Sequence, residues 1–293
     1  MSKGIPVAIT DFAEMKQRGD KIVMVTAYDY PSARLADAAG VDIVFTGDSA
    51  ANNVLGYPDT TPISMDEMVM LGRATRRGTE RAFFLVDLPL GAFQVSDEEA
   101  VRNAMRLVKD AGAQGVKLEG AGPMLARARA IAGAGIPVMG HIGLTPQTAT
   151  ALGGYKAQGR TAAKARQLYA DALALQAAGC FAIVLEAVPA RVAEAITASL
   201  RIPTIGIGAG PGCDGQVLVW HDLLGINENE MQRFVKQYAH VAADIRAGLE
   251  QYVADVRSGA FPTEEHAYKI PAEELRLFRS EIEPGVLSGD DWL

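Results

Sequence analysis

The stretch Ala111-Gly-Ala-Gln-Gly-Val-Lys-Leu-Glu119 compresses one repeating unit of the fold into a few residues. Its Ala-Gly pair stops a helical segment, because glycine adopts the left-handed helix-ending conformation without a Cβ penalty. Gly115–Glu119 then reads as a short apolar strand that finishes on a carboxylate. Alternation along that strand puts Lys117 and Glu119 on one face, with Val116 and Leu118 on the other. The pattern recurs along the chain. Ala39-Gly40, Ala134-Gly135 and Ala178-Gly179 also precede apolar runs, and Asp42–Asp48, Ala82–Asp87 and Phe181–Glu186 are further runs that end on acids. Carboxylates finishing buried strands are costly unless paired, metal-bound or at a cleft. Asp48, Asp87, Glu119 and Glu186 therefore point to a metal and acid/base site assembled from four parallel strands.

Working outward, eight strand-like runs are legible: Ile22–Ala27, Asp42–Gly47, Ala82–Asp87, Gly115–Glu119, Ile136–Gly140, Phe181–Glu186, Pro203–Ile207 and Gln216–Trp220. Helical patterns separate most of them, at Asp66–Gly78, Asp97–Ala111, Pro123–Ala132, Thr161–Ala178 and Pro189–Leu200. Eight β/α units in one domain-sized chain predict an α/β fold, a single (β/α)8 TIM barrel. A doubly wound sheet is the structural rival. Tyr28-Asp29, Asp48, Asp87, Glu119, His141, Glu186, Gly208 and His221-Asp222 all fall at or just past strand C-termini, which converge on one mouth only in a barrel. Ahead of the first strand, Thr10 as N-cap and Gly19 as stop bound a short helix that caps the bottom. The barrel is expected over residues 1–269, with a final helix in Asn229–Ser258. Residues 270–293 are expected to be a flexible or interface tail.

The 293 residues are 49% hydrophobic, enough for a large core, and carry a formal net charge of −7. No basic run is longer than Arg76-Arg77, which excludes a phosphate-backbone footprint and hence nucleic acid. No run approaches the length of a membrane span. Cys180 and Cys213 lack CxxC spacing and no signal-peptide stretch opens the chain, so a cytoplasmic setting is expected.

Each candidate residue carries a chemical rationale. Asp48 and Asp87 are hard oxygen donors on neighbouring strands, and Mg2+ usually takes only one or two carboxylates, leaving positions for a bidentate 2-oxo acid. Lys117 can hold a substrate carboxylate or keto oxygen, or form a structural pair with Glu119. Glu186, after Ile183-Val-Leu185, is expected in apolar surroundings as a general base. His141 is equally readable as a ligand or a wall residue. Gly206-Ile-Gly-Ala-Gly210 lacks the GxGxxG register and is better suited to close backbone approach by a ligand. Thr145–Gly159 reads as a lid or substrate loop.

Taken in order, Thr26-Ala-Tyr-Asp29, Gly47-Asp-Ser49, Asp87-Leu-Pro89, Lys117-Leu-Glu-Gly120, Gly140-His-Ile-Gly-Leu-Thr-Pro-Gln147, Gly206-Ile-Gly-Ala-Gly210 and Asp214-Gly-Gln-Val-Leu218 closely resemble the ketopantoate hydroxymethyltransferase family. The likeness runs from about Thr10 to Lys269. It implies a barrel of the phosphoenolpyruvate mutase and isocitrate lyase superfamily that is Mg2+-dependent and often decameric. The implied co-substrate is 5,10-methylenetetrahydrofolate and the acceptor is 3-methyl-2-oxobutanoate, giving ketopantoate for pantothenate synthesis. By motif match, Asp48 and Asp87 would bind Mg2+ with Glu119 as third acid, Ser49 and Lys117 would hold the 2-oxo acid with the aspartates, and Glu186 would accept the proton. The chain departs from the family pattern at Ala50-Ala-Asn-Asn53, Leu71, Leu90, Ala92 and Phe93. Those departures leave open a paralogue acting on a different 2-oxo acid. The same fold would also serve a Mg2+-dependent C–C lyase or a barrel that only binds a metabolite.

Overall fold

The computed structural model describes residues 5–228 and 231–282. Eight parallel strands close into a barrel in sequence order: β1 (Ile22–Thr26), β2 (Ile43–Thr46), β3 (Phe83–Asp87), β4 (Gly115–Glu119), β5 (Val138–Gly143), β6 (Ala182–Glu186), β7 (Thr204–Ile207) and β8 (Gly215–Leu218). The barrel expectation holds and the doubly wound sheet falls, because β1 pairs with β8 as well as β2. The outer layer includes α2 (Tyr30–Ala38), α4 (Met65–Gly78), α5 (Asp97–Arg106), α6 (Met124–Gly133), α7 (Ala162–Ala177) and α8 (Ala190–Ser199), after α1 (Ile9–Arg18) and a short α3 (Ala50–Asn53). Gly40, Gly112, Gly135 and Gly179 all have positive φ, as the recurring Ala-Gly helix stop requires.

Strand alternation splits the apolar residues into two cores. Val44, Phe84, Val86, Val116, Leu118, Ile183 and Leu185 face outward against the helices. Ile22, Met24, Phe45, Phe83, Leu85, Met139, Val184 and Val217 fill the interior. The inward column of β3 runs Phe83, Leu85, Asp87, and that of β6 runs Ala182, Val184, Glu186. Polarity thus rises toward the strand C-termini, and the interior is greasy at the bottom and charged at the mouth.

Helix α1 closes the bottom. Its buried Phe12 meets Phe83 edge-on at 5.5 Å and stacks on Phe181 at 5.9 Å, while Lys16 Nζ lies 2.7 Å from Asp214 Oδ2. The N-cap is Ala8 and not Thr10, because Asp11 accepts a hydrogen bond from the Ala8 amide at 2.8 Å and Thr10 is already inside the helix. Strand β5 starts after Pro137 and extends to Gly143, so His141 lies within the strand, in register with Glu119. Trp220, expected at the end of the last strand, instead opens a short α9 (Trp220–Leu223).

The chain forms two compact units, one through His240 and one from Val241. The second contains α10 (Val241–Ser258) and α11 (Ala272–Glu281), and so includes residues up to Lys269 that the sequence pattern groups with the barrel. The helix expected from Asn229 starts only at Val241. Residues 231–240 are irregular because their contacts lie with the barrel: Phe234 packs on Gly208 and the Tyr238 amide donates to Leu223 O at 2.9 Å. Asn229 and the tail from 283 to 293 lie outside the described residues.

Candidate active site

The seven residues singled out from sequence, Asp48, Ser49, Asp87, Lys117, Glu119, His141 and Glu186, all line one cavity of about 970 Å³ at the strand C-termini. Its floor is the upper inner core, including Met24, Phe45, Val184 and Val217. Parallel pairing brings the charged residues together: Asp87 is in register with Lys117, and Glu119 with His141.

Lys117 Nζ lies 2.8 Å from Asp87 Oδ1 and 5.2 Å above the centre of the Phe45 ring. Burial alone would lower the Lys117 ammonium, but Asp87, Glu119 and Asp48 overcome it and hold it above its ordinary value. The Asp48 amide donates to Asp87 Oδ2 at 3.1 Å. Burial raises the carboxyls of both aspartates. Repulsion from Asp87 and Glu119 adds to the rise at Asp48, while Lys117 opposes it at Asp87. Burial would also raise Glu119, yet His141 and Lys117 drive it below the usual range.

His141 is the hub between two acids. Its Nδ1 lies 3.3 Å from Glu119 Oε1, and its Nε2 lies 3.2 Å from Glu186 Oε2 without the alignment of a hydrogen bond. Burial and Lys117 both lower its pKa, but the two carboxylates prevail and push it up to about 9. Lys117 Nζ also lies 3.3 Å from Nδ1, so the ring sits between an ammonium and two carboxyl groups. Glu186, expected in apolar surroundings, has this imidazole as a close polar neighbour as well as the apolar Val184 and Val188 in the cavity wall. The next residue, Ala187, has φ of 49°, a left-handed conformation costing about 1–2 kcal/mol outside glycine. Its carbonyl accepts from the Gln158 amide at 2.9 Å, which ties the Thr145–Gly159 loop to the end of β6.

Two further residues organise the mouth, and no sequence signal assigns them a role. The Tyr28 hydroxyl is 2.8 Å from Ser49 Oγ, and burial keeps this phenol well above its ordinary range. Gln147, in the turn after β5, donates its amide N–H to Glu119 Oε2 at 3.0 Å and its side-chain Nε2 to Asp48 Oδ2 at 2.8 Å. Other mouth residues turn out to be structural. Asp29 caps α2 by accepting from the Ser32 amide. Gly208 and Gly210 admit Phe234 and Ala190 closely, which is a neighbour-packing role and not only ligand access.

Whether this donor set suits a cation can be judged from its charges. Four carboxyl groups gather around one ammonium and one imidazole, and Asp48 Oδ1 accepts no hydrogen bond among the described residues. Asp48 and Asp87 fit a Mg2+ ion, which takes few carboxylates and keeps several other oxygens. Among the described residues no group of three or more His, Cys, Asp or Glu forms a ready-made metal cage. Glu119 is instead engaged by Gln147 and His141.

The departures from the family pattern separate by position. Asn52 lines the cavity. Asn53 donates to Ser49 O and accepts from Asn227, bracing the loop that follows β2. Leu71, Ala92 and Phe93 are buried in the outer core.

The sequence profile of ketopantoate hydroxymethyltransferase matches residues 6–264. The chain belongs to the ketopantoate hydroxymethyltransferase family. It is therefore an enzyme of the hydroxymethyl-transferring class. The 3-methyl-2-oxobutanoate hydroxymethyltransferase of Moorella thermoacetica is 52% identical over 92% of this chain and 100% of its own length. The relative of the same name from Heliobacterium modesticaldum is 50% identical over 93% and 99%. The barrel fold also has neighbours among solved structures. A phosphonopyruvate hydrolase in complex with oxalate and Mg2+ superposes with TM-score 0.58 at 15% identity, over 93% of this chain and 95% of that one. A 2,3-dimethylmalate lyase described as a PEP mutase/isocitrate lyase superfamily member gives 0.57 at 18%, over 94% and 95%. Likeness at that level speaks to the fold. Among the described residues no helix is long and apolar enough to cross a membrane.

Proposed function

We propose that this chain transfers the one-carbon unit of 5,10-methylenetetrahydrofolate, with water, to C3 of 3-methyl-2-oxobutanoate, giving 2-dehydropantoate for pantothenate synthesis. The observation that carries the reading is the mouth itself: two neighbouring aspartates, a buried lysine and a separate carboxylate, in a member of this family. Asp48 and Asp87 would hold Mg2+, with Glu119 beside them. When bound, the ion supplies Lewis acidity at the oxo-acid oxygens and makes the C3 proton easier to remove.

The protein groups then divide the work. Lys117 sets its positive charge toward the oxygens where negative charge develops. Ser49, whose hydroxyl is fixed by Tyr28, donates to the substrate carboxylate. Glu186 accepts the C3 proton, and His141, 3.2 Å away, keeps that carboxylate in place. The carbanion carbon attacks the folate methylene, and water supplies the hydroxyl oxygen as tetrahydrofolate departs.

The test is ketopantoate formation from 3-methyl-2-oxobutanoate, methylenetetrahydrofolate and Mg2+, with and without chelator, beside a panel of other 2-oxo acids. Glu186→Gln should lower kcat by about 10²–10⁴-fold while leaving metal affinity intact. An undiminished rate removes Glu186 as the base. Asn52 in the cavity wall favours one second reading, the same addition on a different 2-oxo acid, which the panel would reveal as a higher kcat/KM for that acid.

A further inference from the structure

Gln147 meets two of the site carboxylates although it is not itself assigned to the chemistry. Its Nε2 donates to Asp48 Oδ2 at 2.8 Å and to Leu88 O at 3.0 Å. Its main-chain N–H donates to Glu119 Oε2 at 3.0 Å, and its Oε1 accepts from Gln94 Nε2 at 3.4 Å. One buried residue after β5 thus links the ends of β2, β3 and β4. The amide orientation is fixed chemically. Asp48 Oδ2 and Leu88 O are both acceptors, so only the NH2 end can face them.

The consequence falls on the free carboxylate oxygens. Asp48 Oδ2 is occupied by Gln147, and among the described residues Oδ1 receives no hydrogen bond. At Asp87 both oxygens are met, Oδ2 by the Asp48 amide at 3.1 Å and Oδ1 by the Lys117 ammonium at 2.8 Å. Asp48 therefore presents one oxygen without a protein donor. Single oxygens suit a small ion with strict octahedral geometry, whereas Ca2+ readily takes carboxylates in two-oxygen fashion and at higher coordination number.

We propose that Gln147 is a positioning residue that holds Asp48 to a single free oxygen and thereby sets the preference of this site for a small octahedral cation over Ca2+. The inference rests on the metal-binding reading of Asp48 and Asp87. It assigns the selectivity to a side chain that meets the ion only through Asp48. Partners behind a ligating carboxylate commonly carry 10–100-fold of metal affinity or activity.

The experiment measures Mn2+ binding by electron paramagnetic resonance and Ca2+ binding by displacement of Mn2+. The proteins are the full chain, Gln147→Met, Gln147→Asn and Asp48→Asn. Gln147→Met keeps the side-chain volume and loses both donors. Gln147→Asn keeps a polar amide but withdraws it from Asp48, and serves if the methionine variant fails to fold. In either variant Mn2+ affinity should fall about 10-fold or more while Ca2+ affinity holds or rises, collapsing the Mn2+/Ca2+ ratio. A purely structural role would lower the melting temperature and leave the ratio unchanged, and an unchanged ratio overturns the proposal. Mn2+ binding lost in Asp48→Asn but unaltered in Gln147→Met overturns this inference alone. Absence of Mn2+ binding to the unaltered chain overturns the metal reading and this inference with it.

Discussion

Replacing Lys117 with methionine removes one charge from the centre of the site while keeping an apolar stem of similar length. The ammonium stands 2.8 Å from Asp87 Oδ1. At an effective dielectric of about 20, a unit pair at that distance is worth roughly 6 kcal/mol. Desolvation of both groups opposes this, and removing one partner of a buried pair costs about 3–5 kcal/mol in practice. Lys117 also faces Glu119 and Asp48, which places the expected loss toward the upper end of that range. Its pH dependence is the sharper test. Asp48 and Asp87 already have raised native pKa values through burial, and the substitution removes the charge that opposes the rise. The native variant then holds more protons than the unfolded chain above about pH 4, so its stability increases as pH falls. Urea unfolding of chelator-treated protein should show the full deficit near about pH 8 and a smaller one near about pH 5. A deficit below about 1 kcal/mol, of the size found for exposed pairs, would refute the reasoning. So would a deficit that stays constant across that interval.

Three other outcomes follow from the same structure. Phe12→Ala should cost about 3–5 kcal/mol of stability yet leave KM for the oxo acid unchanged, since Phe12 packs at the bottom of the barrel; thermal melts and steady-state kinetics decide it. Burial pushes the Cys180 thiol up to about 12 and also raises Cys213, so iodoacetamide at neutral pH should label neither until denaturant is added. Rapid native labelling would contradict that. Ala92→Ser should leave the ranking of 2-oxo acids by kcat/KM unchanged because Ala92 is buried in the outer core, whereas Asn52→Met in the cavity wall should alter it.

The period-2 alternation and the Ala-Gly helix stops carry the barrel, because both signals are local and recur along the chain with little variation. The acids are legible for the same reason: each ends an apolar run, and the parallel topology does the gathering. What the sequence hides are relations across the barrel. Gln147 meets Asp48 from 99 positions away and Glu119 from 28, so no spacing rule could assign its amide. Pro137 obscures where β5 begins, which shifts the expected place of His141 to the strand end, and its bridging of Glu119 and Glu186 depends on that register. Glu186 follows an apolar run, but it stands at the charged mouth beside His141. Asp29 and Thr10 show the opposite error, in which a neighbour outweighs a plausible local signal: Asp29 serves α2, and Asp11 takes the capping role expected of Thr10.

Strand β4 carries Lys117 and Glu119 inward and Val116 and Leu118 outward, and so binds assembly of the barrel to its chemistry. A slip of one residue against β3 or β5 would swing both charges into the greasy outer layer and turn both aliphatic side chains to the mouth. Such a misthreaded sheet would bury an ammonium and a carboxylate away from Asp87 and His141. The two inward charges thus act during folding as a check on strand alignment, and variants that neutralise them should refold with more misaligned product even where the finished barrel tolerates the change.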